Sequence, residues 1–448
     1  MVSEEELAGW HAAARYVNGL IRGSAGPARQ RTPTEQRQVG PERIARMRRF
    51  LEALQNPHDD LPVVLVAGTS GKGSVAVKIA AGLREAGYHT GLHVTPYLQT
   101  PLEKFWLDGQ LARPSELTDL IAWIRPTVER LTQADPAQPP TYGMVWVALT
   151  FEYFRRAGVD ALVLEVGAGG RFDLTNVGMP LLSVITTVGL DHEKSLGPSL
   201  ADIAWHKAGV MRPGVPTVIS DMPAAARAIV TNEARRIRAS VATVTPMRDG
   251  DFRAANDAIS AAALRALAGR GFHRIDESAV EVSRTASLPG RYEVMPPANG
   301  ARVVLDGAHN PDKAAALADL RRREVGADPM VLVLGTVGYR SPKEILGPLL
   351  PLASAWVATE PQVFGKPPTP AGVTARAGRD LGFPAVAEMP EPAAALDLAF
   401  DLHPPDGHVL VAGSLYLAGN LRSRWYPTLD VERQRTMWPL RDTECADG

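Results

Sequence analysis

The sequence predicts an α/β protein: a doubly wound, mostly parallel sheet domain carrying a phosphate-binding loop, followed by a second, smaller α/β domain. Three observations carry this. From Pro62 onward, short Val/Leu/Ile runs alternate with Ala-rich helical periods, the pattern of parallel strands joined by crossover helices. The apolar run 62–67 passes into a helix through Gly68-Thr69-Ser70-Gly71-Lys72-Gly73-Ser74. The rhythm breaks over residues 280–300, which carry Pro289-Gly290 and Pro296-Pro297, and then restarts. At 448 residues the chain exceeds the size at which single cores stop growing, so the break is read as a boundary between domains at 1–286 and 287–448.

Residues 7–21 read as a helix, 22–41, rich in Gly, Pro, Arg and Gln, as a surface loop, and 42–54 as a second helix. The first domain continues with strand 63–67, helix 72–86, strand 90–95, helices 115–132 and 141–156, strands 160–166 and 181–188, helix 199–211, strand 215–220 and helix 252–269. In the second domain, strand 302–306, helix 311–323, strand 329–335, helix 341–353 and strand 355–359 precede helices near 370–381 and 391–401 and strand 407–412. The tail from Tyr426 is polar and reads as mobile. There is no repeat period and no low-complexity tract.

Apolar content of 45% and charged content of 22% are those of an ordinary globular protein and exclude a fibrous or disordered chain. With 48 basic against 49 acidic residues the net charge is −1, so nothing draws the chain to a polyanion or a membrane surface; small-molecule partners are expected, and neither nucleic acid nor membrane. The sole cysteine, Cys445, gives no disulfide framework and no thiolate metal site. The start, Met1-Val2-Ser3-Glu4-Glu5-Glu6, is acidic and lacks the order of an export signal, and no apolar run is long enough to cross a bilayer; a cytoplasmic location is expected.

The chemistry concentrates where strands end. In residues 68–74 the glycines let backbone N–H groups approach an anion, the new helix presents unpaired donors and the positive end of its dipole, and Lys72 adds a full charge. A nucleoside triphosphate is the expected ligand. Gly73 between Lys72 and Ser74 departs from the common G-x-x-x-x-G-K-[ST] string. Strand 160–166 ends in Glu165, followed by Gly167, Gly169 and Gly170; at that edge a hard carboxylate suits Mg²⁺, although a strand-end Glu alone reads equally as a solvated group. Strand 181–188 leads to Asp191-His192, where the imidazole is either a further metal ligand or a structural hydrogen-bonding group. By spacing alone, Lys207 reads as a solvated lysine on a helix face. In the second domain Asp306-Gly307-Ala308-His309-Asn310-Pro311 marks a strand-to-helix turn; Asn310 and Pro311 suit the cap and first position of the helix, which leaves Asp306 and His309 to be explained. Gly413-Ser414-Leu415-Tyr416 opens a second such turn.

Taken in order, these motifs resemble the folylpolyglutamate synthase/dihydrofolate synthase family of the Mur ligase superfamily. The resemblance runs from about residue 40 to 425 through residues 67–74, Thr95-Pro96-Tyr97-Leu98, residues 165–176, Asp191-His192, Lys207-Ala208-Gly209, Pro289-Gly290-Arg291, residues 306–311 and Gly413-Ser414-Leu415-Tyr416. It implies a Mur ligase-like fold, a P-loop-containing central domain followed by a Rossmann-like domain, in a monomer. It also implies an ATP-dependent ligase that adds L-glutamate to a folate, extending tetrahydrofolate polyglutamates and converting dihydropteroate to dihydrofolate, through an acyl phosphate. On this resemblance Gly68, Thr69, Ser70, Gly71, Lys72, Gly73 and Ser74 hold the ATP phosphates. Thr95 and Glu165 bind a first Mg²⁺, His192 helps bind a second, and Lys207 falls where relatives carry a lysine carbamate. Asn256 falls near adenine, Arg291 near phosphate and Asp306 at the ribose. His309 and Ser414 lie where the incoming amino acid is expected, and Tyr97 on the acceptor side. Lys72, Glu165, His192, Lys207 and His309 make up the implied catalytic set.

The chain departs from the family pattern at Tyr97, where a histidine is usual, at Gly143-Met144 in place of Phe-Glu, and at His206 in place of a glutamate. The Lys-Asp pair expected after strand 329–335 is at best Lys343-Glu344, displaced by an insertion around Tyr339-Arg340-Ser341. Those changes keep open an alternative ligase of the same chemistry acting on a non-folate carboxylate. A nucleotide switch is disfavoured, because Asn310-Pro311-Asp312-Lys313 is not the guanine-reading Asn-Lys-x-Asp. A silent binder would not need Thr95, Glu165 and His192 together.

Overall fold

The structure, a computed structural model, describes residues 2–21, 32–245, 251–326, 328–338, 340–404 and 407–440; Cys445 and Tyr339 lie outside them. The chain divides into two compact units, Met1–Tyr97 with Pro101–Ser287, and Leu98–Thr100 with Leu288–Gly448.

The first unit begins with α1 (Glu4–Asn18), α2 (Pro33–Glu52), β1 (Val63–Ala67), α3 (Lys72–Glu85), β2 (Thr90–His93), β3 (Trp106–Leu107) and β4 (Gln110–Leu111). It continues through α4 (Pro114–Ala134), α5 (Tyr142–Ala157), β5 (Ala161–Glu165), β6 (Leu182–Ile185), α6 (Glu193–Leu196) and α7 (Leu200–Ala208). It closes with β7 (Pro216–Ser220), α8 (Ala224–Ile237), β8 (Ser240–Val244), α9 (Phe252–Ala268) and α10 (Glu277–Thr285). The strands form one sheet in the order β4-β3-β2-β5-β1-β6-β7-β8. Its six strands from β2 to β8 run parallel, and only the β3 and β4 ribbon at one edge is antiparallel. β5 is buried along its whole length, which is why its sequence is a continuous apolar run with no alternation.

Two sequence expectations fail here, and two elements were not anticipated. Residues 33–41, read as loop, belong to α2: Thr32 caps it in a reciprocal pair with Glu35, Pro33 takes the first position, and Gly40-Pro41 lies inside the helix. Gly40 is needed there, because a Cβ would collide with the Phe172 ring. α8 and β8 carry no sequence expectation; β8 is an exposed edge strand without a strong apolar pattern. α10 occupies the start of the segment read as irregular.

The second unit holds β9 (Glu293–Val294), β10 (Arg302–Leu305), α11 (Pro311–Val325), β11 (Met330–Leu334), α12 (Pro342–Leu349), β12 (Ala355–Ala358) and α13 (Ala371–Asp380). Then come β13 (Ala387–Glu388), α14 (Pro392–Leu402), β14 (His408–Ala412), α15 (Leu415–Arg422) and α16 (Thr428–Gln434). The sheet order is β13-β12-β11-β14-β10-β9, parallel except for β9. Leu317, Leu332, Leu346, Trp356 and Leu410 meet in its core. The expectation of a mobile tail from Tyr426 is wrong as far as Leu440: α16 forms there and Val431 and Met437 are fully buried. No described helix is long and apolar enough to cross a membrane.

Candidate active site

Strand register decides what meets in the first unit. Val66 of β1 pairs with Glu165 of β5, Ala67 with Ile185 of β6, and His93 of β2 with Leu164 of β5. The carboxyl ends of four neighbouring parallel strands are therefore level. Thr95, Glu165, residues 68–74 and Asp191-His192 all leave the sheet at that one edge. The chain proceeds from β1 to β2 on one side of β1 and to β7 and β8 on the other, which makes this a topological switch point, where open α/β sheets bind ligands.

The loop after β1 is strapped to the end of β6. Thr69 N donates to Thr187 O at 2.9 Å, Thr69 Oγ1 exchanges hydrogen bonds with Gly189 at 3.0 Å, and Ser70 N donates to Thr187 Oγ1 at 2.9 Å. Gly71 is left-handed, with φ of 79°, and starts α3 with Lys72 as its first residue. A Cβ on Gly71 would collide with Asn256 Oδ1, so α9 presents that amide directly against the loop.

Glu165 is 3% exposed. Its Oε2 accepts from Thr95 N at 2.9 Å, and among the described residues no basic side chain forms an ion pair with it. A buried carboxylate without a cation is costly unless an ion compensates it, and hard oxygen donors are what Mg²⁺ takes, together with water and substrate phosphates. Glu165 is thus a side chain that could hold a first Mg²⁺, while Thr95 is placed beside it by its N–H on that carboxylate. The fit for a second ion is weaker. His192, with φ of 54°, presents a partly exposed ring whose Nε2 lies 3.8 Å from Asp191 Oδ2. Among the described residues no group of three or more His, Cys, Asp or Glu could hold a metal.

Lys207 is 2% exposed, which overturns the spacing-based expectation of a solvated lysine. The glycine-rich loop after β5 packs on α7: Arg171 N donates to His206 O at 2.7 Å, and a Cβ on Gly170 would stand 3.2 Å from Lys207 Cα. His206 is buried beside Phe172 and Trp205; burial, reinforced by Arg171 and Arg37, lowers its pKa to about 4, so the ring is neutral near pH 7.

Residues to which the sequence assigns no role hold this loop. Asp173 Oδ2 accepts from Ala168 N at 3.0 Å, and its Oδ1 accepts from Thr175 N and Oγ1. Asn176 donates to Gly170 O and Gly209 O. Glu233, held low at about 2 by Arg236 and Arg171, anchors Arg171 at 2.5 Å. Asp and Asn just beyond a glycine run are turn-bonding residues, and that was the available signal.

In the second unit β10 and β14 are neighbours, and Gly413 N donates to Ala308 O at 2.9 Å, so His309 and Ser414 stand on adjoining turns. Asp306 accepts from Tyr292 N and Ala308 N, both at 2.7 Å. Desolvation raises its pKa, opposed chiefly by Arg291. His309 Nδ1 lies 2.8 Å from Gly307 O and acts there as the donor, which leaves Nε2 to accept from Lys313 Nζ at 3.2 Å. Ser414 caps α15 through Tyr416 N, and Lys366 Nζ donates to Tyr416 Oη at 2.5 Å. Burial pushes that phenol up to about 12. Asn310 caps α11, as its sequence position indicates. Lys343 and Glu344 are exposed in the first turn of α12. On the acceptor side, Lys104 Nζ lies 5.6 Å above the Tyr97 ring, and Met144 is buried in the first turn of α5.

The chain is similar to known proteins over most of its length. Residues 290–415 match the glutamate ligase domain family of Mur ligases. A probable bifunctional folylpolyglutamate synthase/dihydropteroate synthase of Haloferax volcanii is 34% identical over 432 residues, 89% of this chain and 50% of that protein. The chain spans about half the length of that relative and of its Halobacterium salinarum counterpart, of which it covers 49%. A dihydrofolate synthase/folylpolyglutamate synthase of Bacillus subtilis is 31% identical over 315 residues, 62% of this chain and 72% of the relative. Among solved structures, Mycobacterium tuberculosis folylpolyglutamate synthase complexed with ADP superposes with a TM-score of 0.80 at 27% identity, covering 94% of this chain and 98% of that one.

Proposed function

This chain belongs to the folylpolyglutamate synthase/dihydrofolate synthase family, and on that premise we propose that it is an ATP-dependent ligase joining L-glutamate to a carboxylate of a folate, with dihydropteroate as a second acceptor. The observation that carries the proposal is the level edge of β2, β5, β1 and β6. It puts a phosphate loop and a buried, uncompensated carboxylate side by side.

The acceptor carboxylate attacks the γ-phosphorus of ATP and forms an acyl phosphate and ADP. The glutamate amine then attacks the acyl carbon, the amide forms, phosphate leaves with the acyl oxygen, and the amine gives up a proton. Lys72, Ser74 and the amino end of α3 neutralise the transferring phosphoryl group, where charge stabilisation and positioning supply most of the rate. Mg²⁺ held by Thr95 and Glu165 would add Lewis-acid polarisation of that group. Asn256 recognises adenine, Arg291 phosphate and Asp306 ribose, while His309 and Ser414 receive the amino acid and Tyr97 the acceptor. Lys207 carries a carbamate in this reading, which turns a buried cation into an anion suited, with His192, to a second ion. Native intact mass would then show the gain of one CO₂, and an unmodified mass excludes it.

Incubation with ATP, Mg²⁺, L-glutamate and a reduced folate should release ADP and yield a folate heavier by one glutamyl residue. If no pterin gains mass, the acceptor assignment fails. The buried Met144 and the Lys104-covered Tyr97 depart from the family at the acceptor side and favour a second reading, a non-folate carboxylate as acceptor. A panel of carboxylates crossed with amino acids, read by ADP release, separates the two. Glu165→Gln should lower turnover at least ~10²-fold, the usual loss when one preorganised electrostatic group is removed, with the circular dichroism spectrum unchanged; undiminished turnover contradicts the role.

A further inference from the structure

α3 carries the phosphate loop at its start and, two turns on, a second lysine that the proposed reaction does not use. Lys78 is 9% exposed, an unusual place for an ammonium group. Its Nζ lies 2.9 Å from Asp257 Oδ1 on α9, as an ion pair, and donates to Arg284 O at the end of α10 at 2.5 Å. One ammonium thus ties three helices together. Asp257 immediately follows Asn256, the residue whose Oδ1 abuts Gly71 in the loop. Asn256 and Asp257 are consecutive on α9, so its contact with the loop and its ion pair with Lys78 come from neighbouring residues of one helix.

We propose that Lys78 and Asp257 form a positioning pair that fixes the register of α9 against α3, holds Asn256 over the phosphate loop, and thereby sets the affinity and base preference for adenine nucleotide. The inference rests on the reading that this loop binds ATP. The physical argument is one of tolerance. Gly71 leaves no room between loop and amide, so a small slide of α9 either drives Asn256 into the loop or withdraws it from the base. Packing fixes the far end of the contact, where Gly82 of α3 receives the Leu264 side chain of α9; nearer the loop the Lys78–Asp257 pair opposes the slide, because moving Asp257 away takes the anion from a largely desolvated ammonium, although the Asp257 side chain is itself 31% exposed. Lys78 touches no expected ligand, and its ammonium is already occupied.

The test measures direct binding of ATP and GTP, together with steady-state ATP kinetics, for the full chain and for Lys78→Met and Asp257→Asn. Each variant should bind ATP about tenfold more weakly, equivalent to ~1.4 kcal/mol, with KM for ATP raised, kcat held and the preference for ATP over GTP reduced. In an Asn256→Ala background the same substitutions should cost nothing further, as expected when they act through that amide. If Lys78→Met does not fold, Asp257→Asn, which keeps the shape and removes only the charge, carries the test. Unchanged ATP affinity in a folded variant overturns the inference, as does a loss that simply adds to that of Asn256→Ala. Failure of the unaltered chain to bind ATP at all would instead overturn the proposed function.

Discussion

His206 precedes the buried Lys207, and its surroundings suit an imidazole. The ring lies edge-on to Phe172 and Trp205, while Arg171 and Arg37 stack on Trp205 at 4.1 and 4.6 Å. A carboxylate there would pair with the arginines; a neutral ring fills the aromatic pocket and leaves Arg171 to Glu233. Neutrality has a pH cost whose sign is fixed. The unfolded chain takes up the proton near pH 6.5, and the folded one only near 4, chiefly because of burial. Between those values the unfolded state binds more protons, so this residue's contribution to stability is complete above pH 6.5 and is lost as pH falls toward 4. The full shift corresponds to roughly 3 kcal/mol. Urea unfolding at pH 7 and pH 4.5 should therefore show a smaller acid loss for His206→Asn than for the unaltered chain. Equal losses would place the titration elsewhere, for instance at the more deeply buried His93.

At the scale of single elements, α2 shows what a sequence conceals. Gly-Pro in the middle of residues 33–52 has the mark of a break, and an isolated helix would break there. The tertiary context overrides this, because Gly40 admits the Phe172 ring and Arg37 reaches Trp205 and Asp202. The signal for the true start, Thr32 with Glu35 three residues on, was present and was outweighed by the glycine and proline count. β1, β5 and β6 were legible because buried parallel strands are continuous apolar runs, and the turns that follow them were legible because glycine and a charged residue at a strand end have few other uses. Asp173, bonded within five residues of itself, had the turn signal; the reach of Asn176 to Gly209 and of Glu233 to Arg171 was not legible, because those partners lie far away in the chain. Gly40→Ala separates propensity from packing. Alanine favours an exposed helix over glycine by ~1 kcal/mol, whereas forcing a methyl into a filled site costs ~1–3 kcal/mol. Net destabilisation is expected, with a fall in turnover because Phe172 belongs to the loop after Glu165. Stabilisation measured by chemical denaturation would mean that α2 does not rest on that ring.

For the whole molecule, residues 426–440, part of the tail taken from sequence to be mobile, fasten the second unit. Arg422, 0% exposed, donates to Glu293, to Gln99 Oε1 at 2.7 Å and to Met437 O at 2.5 Å, and stacks on Tyr426 and Trp438. Thr100 Oγ1 donates to Glu432 Oε1 at 2.6 Å in the interior. Residues from three distant parts of the sequence, 98–100, 293 and 422–438, thus share one polar core, and no local pattern announces it. An arginine in the interior is tolerable only while its donors are met; remove one acceptor and the desolvation it has already suffered is no longer offset. A chain ending at Tyr426 loses the burial of Val431 and Met437, worth ~2 kcal/mol each, and a charged hydrogen bond worth ~1.5–3 kcal/mol. The sum, roughly 6 kcal/mol, lies within the ~5–15 kcal/mol that holds a typical domain folded. Truncation there should therefore unfold the second unit selectively. Limited proteolysis should cut residues 288–426 rapidly while the first unit yields a persistent fragment, and calorimetry should lose one transition of two. A truncated chain that keeps both transitions at their original temperatures would show that Glu293 and Gln99 alone satisfy Arg422.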